Sequence, residues 1–251
     1  AEAAARVSAP LAGDPELLEA LGAIARWAAA AGAVPVAEPR SAPAVATTHA
    51  FVESDAQSPD ADRRPARRDD RPARITVLGG GSIGASAYLI EHLGKRLLLD
   101  CGIDSHQRPA PVPPGIDAVI LTHAHGDHMG GLPLLLRQQP DVRVYCSKST
   151  KLLAMDQANA AGQFIPGDSV QVRDPGETYR ILDGSVELRL HRVAHCLGSC
   201  AVRLRFEDGL TIVYSGDLGG RGLRTLRQDE PLPLHGADVI LLESTLGDRP
   251  P

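Results

Sequence analysis

Apolar and polar positions fall into three regimes along the chain. In the first, Leu17, Leu18, Leu21, Ile24, Ala25 and Ala28 recur at helical spacing, with Trp27 beside them. Asp14-Pro15 offers an N-cap followed by proline at the first helical position, and Gly32 offers a stop. A helix over about 15–31 is predicted, inside an N-terminal segment 1–34, with an apolar stripe that can pack in cis or dock on a partner. In the second regime, 35–74, large apolar side chains thin out and six prolines appear. Its end, Arg63–Arg74, sets six arginines against two aspartates. Such a stretch buries too little apolar surface to order itself, so 35–74 is predicted to be a linker. The third regime starts at Ile75 and runs to 251, with short apolar or alternating stretches separated by turn residues.

Within that third regime, strands are predicted at Ile75–Leu78, Ser86–His92, Arg96–Asp100, Ala118–Leu121 and Arg143–Cys146. Further strands are predicted near Ser169–Val172, Tyr179–Leu182, Val186–Arg192, Ala201–Phe206, Leu210–Tyr214 and Val239–Glu243. Asp183-Gly184 and Asp208-Gly209 mark turns between them. Helices are predicted from Met129 through Leu136 and over Ser149–Ala160. Gly79-Gly80-Gly81-Ser82-Ile83-Gly84 lacks the Lys-Ser/Thr of a phosphate-binding loop and precedes a strand, so it reads as a tight connection. The fold class is α/β (α+β), with strands outnumbering helices.

One stretch concentrates chemistry: Thr122-His123-Ala124-His125-Gly126-Asp127-His128, directly after the apolar strand Ala118–Leu121. His123 and His125 are two apart, so on extended backbone their rings point the same way and can share one ion. Asp127 and His128 follow as the chain turns and can face a second ion. Imidazole and carboxylate suit zinc, and the same mixed shell also accepts iron or manganese.

Composition adds limits. Hydrophobic residues make up 43% of the 251, enough for a substantial core, but aromatics only 3%, so that core must be built from Leu, Val, Ile and Ala. The formal charge of −5 argues against a generally nucleic-acid-binding surface while leaving room for a local basic groove. No apolar run approaches the length of a membrane span, no signal peptide is visible, and a cytoplasmic location without a membrane partner is expected. Cys101, Cys146, Cys196 and Cys200 are expected to be reduced thiols. Cys196 and Cys200 flank the region after His195, but a spacing of four there is weak evidence for metal ligation when histidines already supply donors.

The His-x-His-x-Asp-His pattern resembles the metallo-β-lactamase superfamily. The resemblance continues in order through Leu97–Gly102, Ala194–Ser199 and Tyr214–Asp217. Leu241-Leu242-Glu243-Ser244-Thr245-Leu246-Gly247-Asp248-Arg249 is similar to the Glu-Ser-Thr-Tyr-Gly-Asp-Arg run of the β-CASP branch, which includes ribonuclease J and the cleavage-and-polyadenylation endonuclease. Leu246 departs from that branch's tyrosine. The similarity covers roughly residues 75–249 and implies an αββα sandwich.

By the same resemblance, His123, His125 and His195 hold one zinc, Asp127 and His128 hold a second, and Asp217 bridges the two. Asp127 and Asp217 are the expected catalytic carboxylates, with Asp100 and Glu243 standing behind the ligands and holding them in place. In the β-CASP branch a cap domain follows the last strand and contributes further histidines. The chain is therefore expected to be a fragment ending before that cap, with an incomplete second site. The implied function is a metal-dependent phosphodiesterase that cleaves RNA or DNA with a metal-activated hydroxide, its partner being a single-stranded nucleic acid. The N-terminal segment would serve a protein partner or a second copy. Two other classes stay open: a hydrolase of a small ester, thioester or lactam, and a metal-stabilised interaction module without catalysis.

Overall fold

The computed structural model describes residues 73–79, 84–219 and 232–243. The expected N-terminal helix, most of the expected linker and the Ser244–Arg249 part of the β-CASP-like run lie outside these residues. Among the described residues, no helix is long and apolar enough to cross a membrane.

Two sheets make up the described fold. The first has the spatial order β1 (Arg74–Gly79), β2 (Ala87–His92), β3 (Lys95–Leu99), β4 (Ala118–Ile120), β5 (Arg143–Cys146), β6 (Val170–Val172). β1, β2 and β3 pair antiparallel, whereas β3 to β6 run parallel. The second sheet has the order β11 (Val239–Leu241), β10 (Thr211–Tyr214), β9 (Cys200–Phe206), β8 (Val186–Arg192), β7 (Thr178–Ile181). It is antiparallel except for the parallel β10–β11 pair.

Side-chain alternation explains how the layers stack. In β3, Leu97 and Leu99 enter one core while Leu98 enters another. In β4, Ala118 and Ile120 join the first and Val119 the second. Residues 97–99 of β3 and Ala118–Ile120 of β4 read as continuous apolar runs because both of their faces are covered. The core between the sheets combines Ile90, Leu97, Leu99 and Ile120 with Leu188, Leu190, Leu204 and Ile212 of the second sheet. On the other face of the first sheet, Leu89, Leu98, Val119 and Val144 pack against Met129, Leu132, Leu135, Leu136, Ala154 and Ala158. Those partners sit on α1 (Gly126–Met129), α2 (Leu132–Gln138) and α3 (Lys148–Ala160). Each fully buried Leu or Ile contributes about 1.5–3 kcal/mol relative to exposure. The described layers are thus helix, sheet, sheet, a mixed α/β arrangement with few helices.

One element departs from expectation. The apolar run Met129–Leu136 is not a single helix: α1 ends at Met129 and α2 starts at Leu132. Gly130 and Gly131 intervene, and the Gly131 amide leaves the helical ladder to donate to Cys101 O at 2.8 Å. Pro133 then occupies the first turn of α2, where its missing N–H costs nothing. The break turns the metal-motif turn and the packing helix into separate units.

A parallel sheet aligns strand ends. β3, β4 and β5 finish at Leu99, Ile120 and Cys146, side by side, and the chemistry-bearing loops leave from this edge.

Candidate metal centre

Asp100 follows β3 with φ +58°, a left-handed conformation that aspartate tolerates better than most residues. Its side chain is fully buried and gathers donors from three segments. The Thr122 amide donates to it at 2.8 Å, Thr122 Oγ1 at 2.8 Å, Tyr214 Oη at 2.9 Å and His128 Nδ1 at 2.7 Å. The metal-motif backbone is held just as closely. Cys101 N donates to His128 O at 2.7 Å and Ser86 N to Asp127 O at 2.8 Å. A Cβ on Gly102 would run into Asp127 O, so only glycine lets the chain after β3 approach the motif.

His195 sits in the loop between β8 and β9. Ser147 caps α3 by accepting from Thr150 N at 3.2 Å, a contribution of about 1 kcal/mol, and its Oγ also lies 2.8 Å from Gly198 O. Thr150 Oγ1 donates to the same carbonyl at 3.0 Å. Gly198 has φ +88°, and a Cβ there would meet Thr150 N at 2.7 Å. Glycine is therefore required where the loop presses on the start of α3. Asp217 follows β10, and Glu243 fixes its loop: Leu218 N donates to Glu243 Oε1 at 2.8 Å, and Glu243 N to Ser215 Oγ at 3.0 Å.

The imidazoles converge. His123 Nε2 lies 3.1 Å from His125 Nδ1, and His195 Nε2 lies 3.1 Å from the same atom. Asp217 spans the remaining gap, at 3.2 Å from His128 Nε2, 3.5 Å from His195 Nε2 and 4.0 Å from His123 Nε2. Asp127 stands at the rim, half-exposed, with Oδ2 3.8 Å from His128 Nε2. Two donor groups can be drawn: His123, His125, His195 and Cys196, and His123, His128 and Asp217.

Protonation follows from neighbours. Burial, then the nearby His128 and His125, drive His123 down to about 2, so it is a neutral donor. The Thr122 hydroxyl proton is spent on Asp100, so its oxygen accepts from His123 Nδ1–H at 3.0 Å, leaving the Nε2 lone pair aimed into the cluster. His195 is also lowered, first by burial. Burial disfavours the charged form of His128 too, but the carboxylates of Asp100 and Asp217 outweigh it and raise this residue to about 10. Burial opposes ionisation of Asp217, yet the hydrogen bond and charge of His128 bring it down to about 2.

This arrangement fits a divalent cation. Zinc bonds of 2.0–2.1 Å to nitrogen in a tetrahedron put donors about 3.4 Å apart, close to the 3.1 Å seen between nitrogens here. The Asp100–His128 and Thr122–His123 contacts orient the rings from behind, as outer partners of metal-binding histidines do. On the His128 half, cation and proton compete for Nε2. The folded-state pKa of about 10 lies above the ordinary 6.5, so the proton is held throughout the neutral range. Affinity at this half is expected to rise about tenfold per pH unit below that value. Calorimetric metal titrations at several pH values, in buffers of differing ionisation enthalpy, measure the accompanying proton release. PH-independent affinity without proton release would exclude His128 as a donor.

Residues 95–250, more than half of the chain, match the family described as Beta-lactamase superfamily domain. The chain belongs to that superfamily. Its relatives extend the match into the β-CASP branch. A ribonuclease of Thermus thermophilus is 36% identical over 197 residues, which is 70% of this chain and 44% of that protein. Transcription termination factor FttA of Methanocaldococcus jannaschii is 32% identical, covering 72% of this chain and 32% of the factor. Ribonuclease J of Mycobacterium tuberculosis is 30% identical, covering 70% and 35% respectively. The chain therefore spans less than half the length of these superfamily relatives.

The structure brings His123, His125, His128, His195 and Asp217 together, sets Asp127 beside them, and puts Asp100 and Glu243 behind them. Among the other histidines, His92 is buried against Asp208 at 2.9 Å, a packing role, and His191 is buried on β8. Sequence reasoning missed two positioning residues, Thr122 and Tyr214, and set Cys196 aside. Tyr214 meets Asp100 across 114 residues, a contact no local pattern signals.

Proposed function

We propose that this chain carries the hydrolytic centre of a metal-dependent phosphodiesterase acting on single-stranded RNA, with zinc as the resident ion in one or two sites. The observation that carries this reading is the convergence of the His123, His125 and His195 nitrogens, with Asp217 within 4.0 Å of His123, His195 and His128, in a chain whose superfamily relatives include ribonucleases by name. A divalent ion held there would bring coordinated water from a pKa of about 15.7 to roughly 7 and offset charge growing on a phosphate.

The chain's own residues would do the rest. Asp127, half-exposed at the rim, can accept the proton of the attacking water through Oδ2. His123 and His195, both neutral, present lone pairs rather than protons. Asp217 carries its negative charge at neutral pH and ties the two groups of donors. Asp100 fixes the tautomer of His128 by accepting from Nδ1, which directs Nε2 to the site.

The test is a substrate panel: labelled single-stranded RNA, a small phosphodiester, a thioester and a lactam, each with protein as purified, chelated, and reloaded with zinc. Metal-dependent cleavage of the RNA or the phosphodiester is the expected result. Hydrolysis of the thioester or lactam with both phosphodiesters untouched would replace the proposal.

A further inference from the structure

The inward face of β2 leads to the centre. Ile90 lies in the core between the sheets, and Tyr88 packs against that core with its ring 5.2 Å from Tyr214. Ala87 and Leu89 point into the other core. One step along the inward face stands Ser86, half-buried, just before β2 begins. Its Oγ lies 3.5 Å from His128 Nε2, and among the described residues no other partner lies within hydrogen-bond reach of this hydroxyl. Asp217 Oδ1 is nearer to the same nitrogen, at 3.2 Å. When Nε2 serves Asp217 or an ion, the Ser86 hydrogen is left to give elsewhere.

The backbone fixes this hydroxyl firmly. Ser86 N donates to Asp127 O at 2.8 Å, Gly102 N donates to Ser86 O at 3.0 Å, and Ala85 N donates to Ile103 O at 2.9 Å. Gly84 has φ +110° and Ala85 φ +54°. Left-handed backbone is uncommon at alanine and persists where the surroundings over-determine it, as they do around binding and catalytic groups. The bond to Asp127 O also sets Ser86 beside the half-exposed carboxylate at the rim, so the two flank the same opening.

We infer that Ser86 is a catalytic residue whose hydroxyl donates a hydrogen bond to a non-bridging oxygen of the scissile phosphate. This rests on the phosphodiesterase reading and adds a donor from the chain itself where negative charge grows. Charge flow selects phosphate over water as the acceptor. A donor on the attacking hydroxide would blunt it, whereas a donor on the phosphate oxygen strengthens as the transition state forms. The hydroxyl keeps its proton throughout, and no bond of Ser86 breaks.

The first measurement is calorimetric titration of zinc-loaded full chain with inorganic phosphate. Ser86→Ala is expected to bind phosphate about tenfold more weakly, with zinc content unchanged. The second is cleavage of labelled single-stranded RNA, where Ser86→Ala should lower kcat by about a hundredfold and leave KM little altered. RNA with one phosphorothioate at the cleaved linkage separates a bond to substrate from a structural role. Sulfur accepts hydrogen bonds weakly, so wild-type protein should cut one stereoisomer faster and Ser86→Ala should shrink that preference. Wild-type phosphate affinity in Ser86→Ala, or a slower variant with the wild-type stereoisomer preference, would overturn the inference and leave the hydrolytic reading standing. Loss of zinc from Ser86→Ala would also overturn it and assign Ser86 to support of the metal motif. Zinc-loaded wild-type protein that binds phosphate but cleaves no RNA would remove the phosphodiesterase reading, while the titration would still decide whether Ser86 bonds a phosphate oxygen. Failure of the wild type to bind phosphate would remove both.

Discussion

Asp217→Asn is expected to reduce phosphodiester hydrolysis by at least about a hundredfold and to lower metal content. Asp217 is the one carboxylate among the described residues within 4.0 Å of His123, His128 and His195 together. The amide keeps its size but loses the negative charge that His128 and the converging donors hold in place. Two consequences follow. A cation shared by the two halves loses an anionic donor, and the His128 imidazolium loses one of the two carboxylates that raise it. Asp127→Asn should behave differently. Asp127 belongs to neither convergent donor group, so the ion held by His123, His125 and His195 should remain while the rate falls by about 10²–10⁴-fold through loss of the proton acceptor. Elemental analysis beside initial rates for the two variants separates these outcomes. If Asp217→Asn retains both metal and rate, this carboxylate is not part of the centre, and the proposed arrangement fails at its middle.

The strands were legible because burial writes itself into sequence at short range. β8 alternates Val186, Leu188 and Leu190 with Glu187 and Arg189, a period-two pattern for a strand with one face in the core. Residues 97–99 of β3 and all of β4 are unbroken apolar runs because helices cover one face and the second sheet the other. The α1–α2 break was less legible. Apolar residues continue through it, and what decides is a tertiary bond from Gly131 N to Cys101 O, which has no local signature. The site divides the same way. His123, His125, Asp127 and His128 are contiguous, and their spacing carries a geometric argument by itself. His195 and Asp217 enter only through resemblance to a family, because nothing local says that two distant loops end at the same strand edge. Cys196 shows the limit of spacing rules: its separation from Cys200 is uninformative, yet its Sγ falls within 4.8 Å of the donor atoms of His123, His125 and His195.

Asp100→Ala is expected to cost about 3–5 kcal/mol of folding stability, the range for stripping one partner from a buried ion pair. Asp100 is fully buried, with the His128 imidazolium 2.7 Å away. Removing its carboxylate leaves that ring, the Thr122 amide and hydroxyl, and the Tyr214 hydroxyl without their acceptor, in a place water does not reach. Each uncharged donor left unsatisfied costs about 1–3 kcal/mol on its own, although relaxation keeps such terms from adding fully. Tyr214→Phe removes one donor and leaves the acceptor served by the others, so a loss near 1 kcal/mol is expected. Denaturant unfolding should be run on metal-free protein, since a bound ion would stabilise the folded state by mass action and blur the comparison. The alanine variant should also lose the pH-dependent metal uptake assigned to His128, because nothing then fixes Nδ1 as the protonated nitrogen. A stability loss below about 1 kcal/mol for Asp100→Ala would mean that the surrounding donors find other acceptors. The junction between the first sheet, the metal motif and β10 would then not depend on this carboxylate.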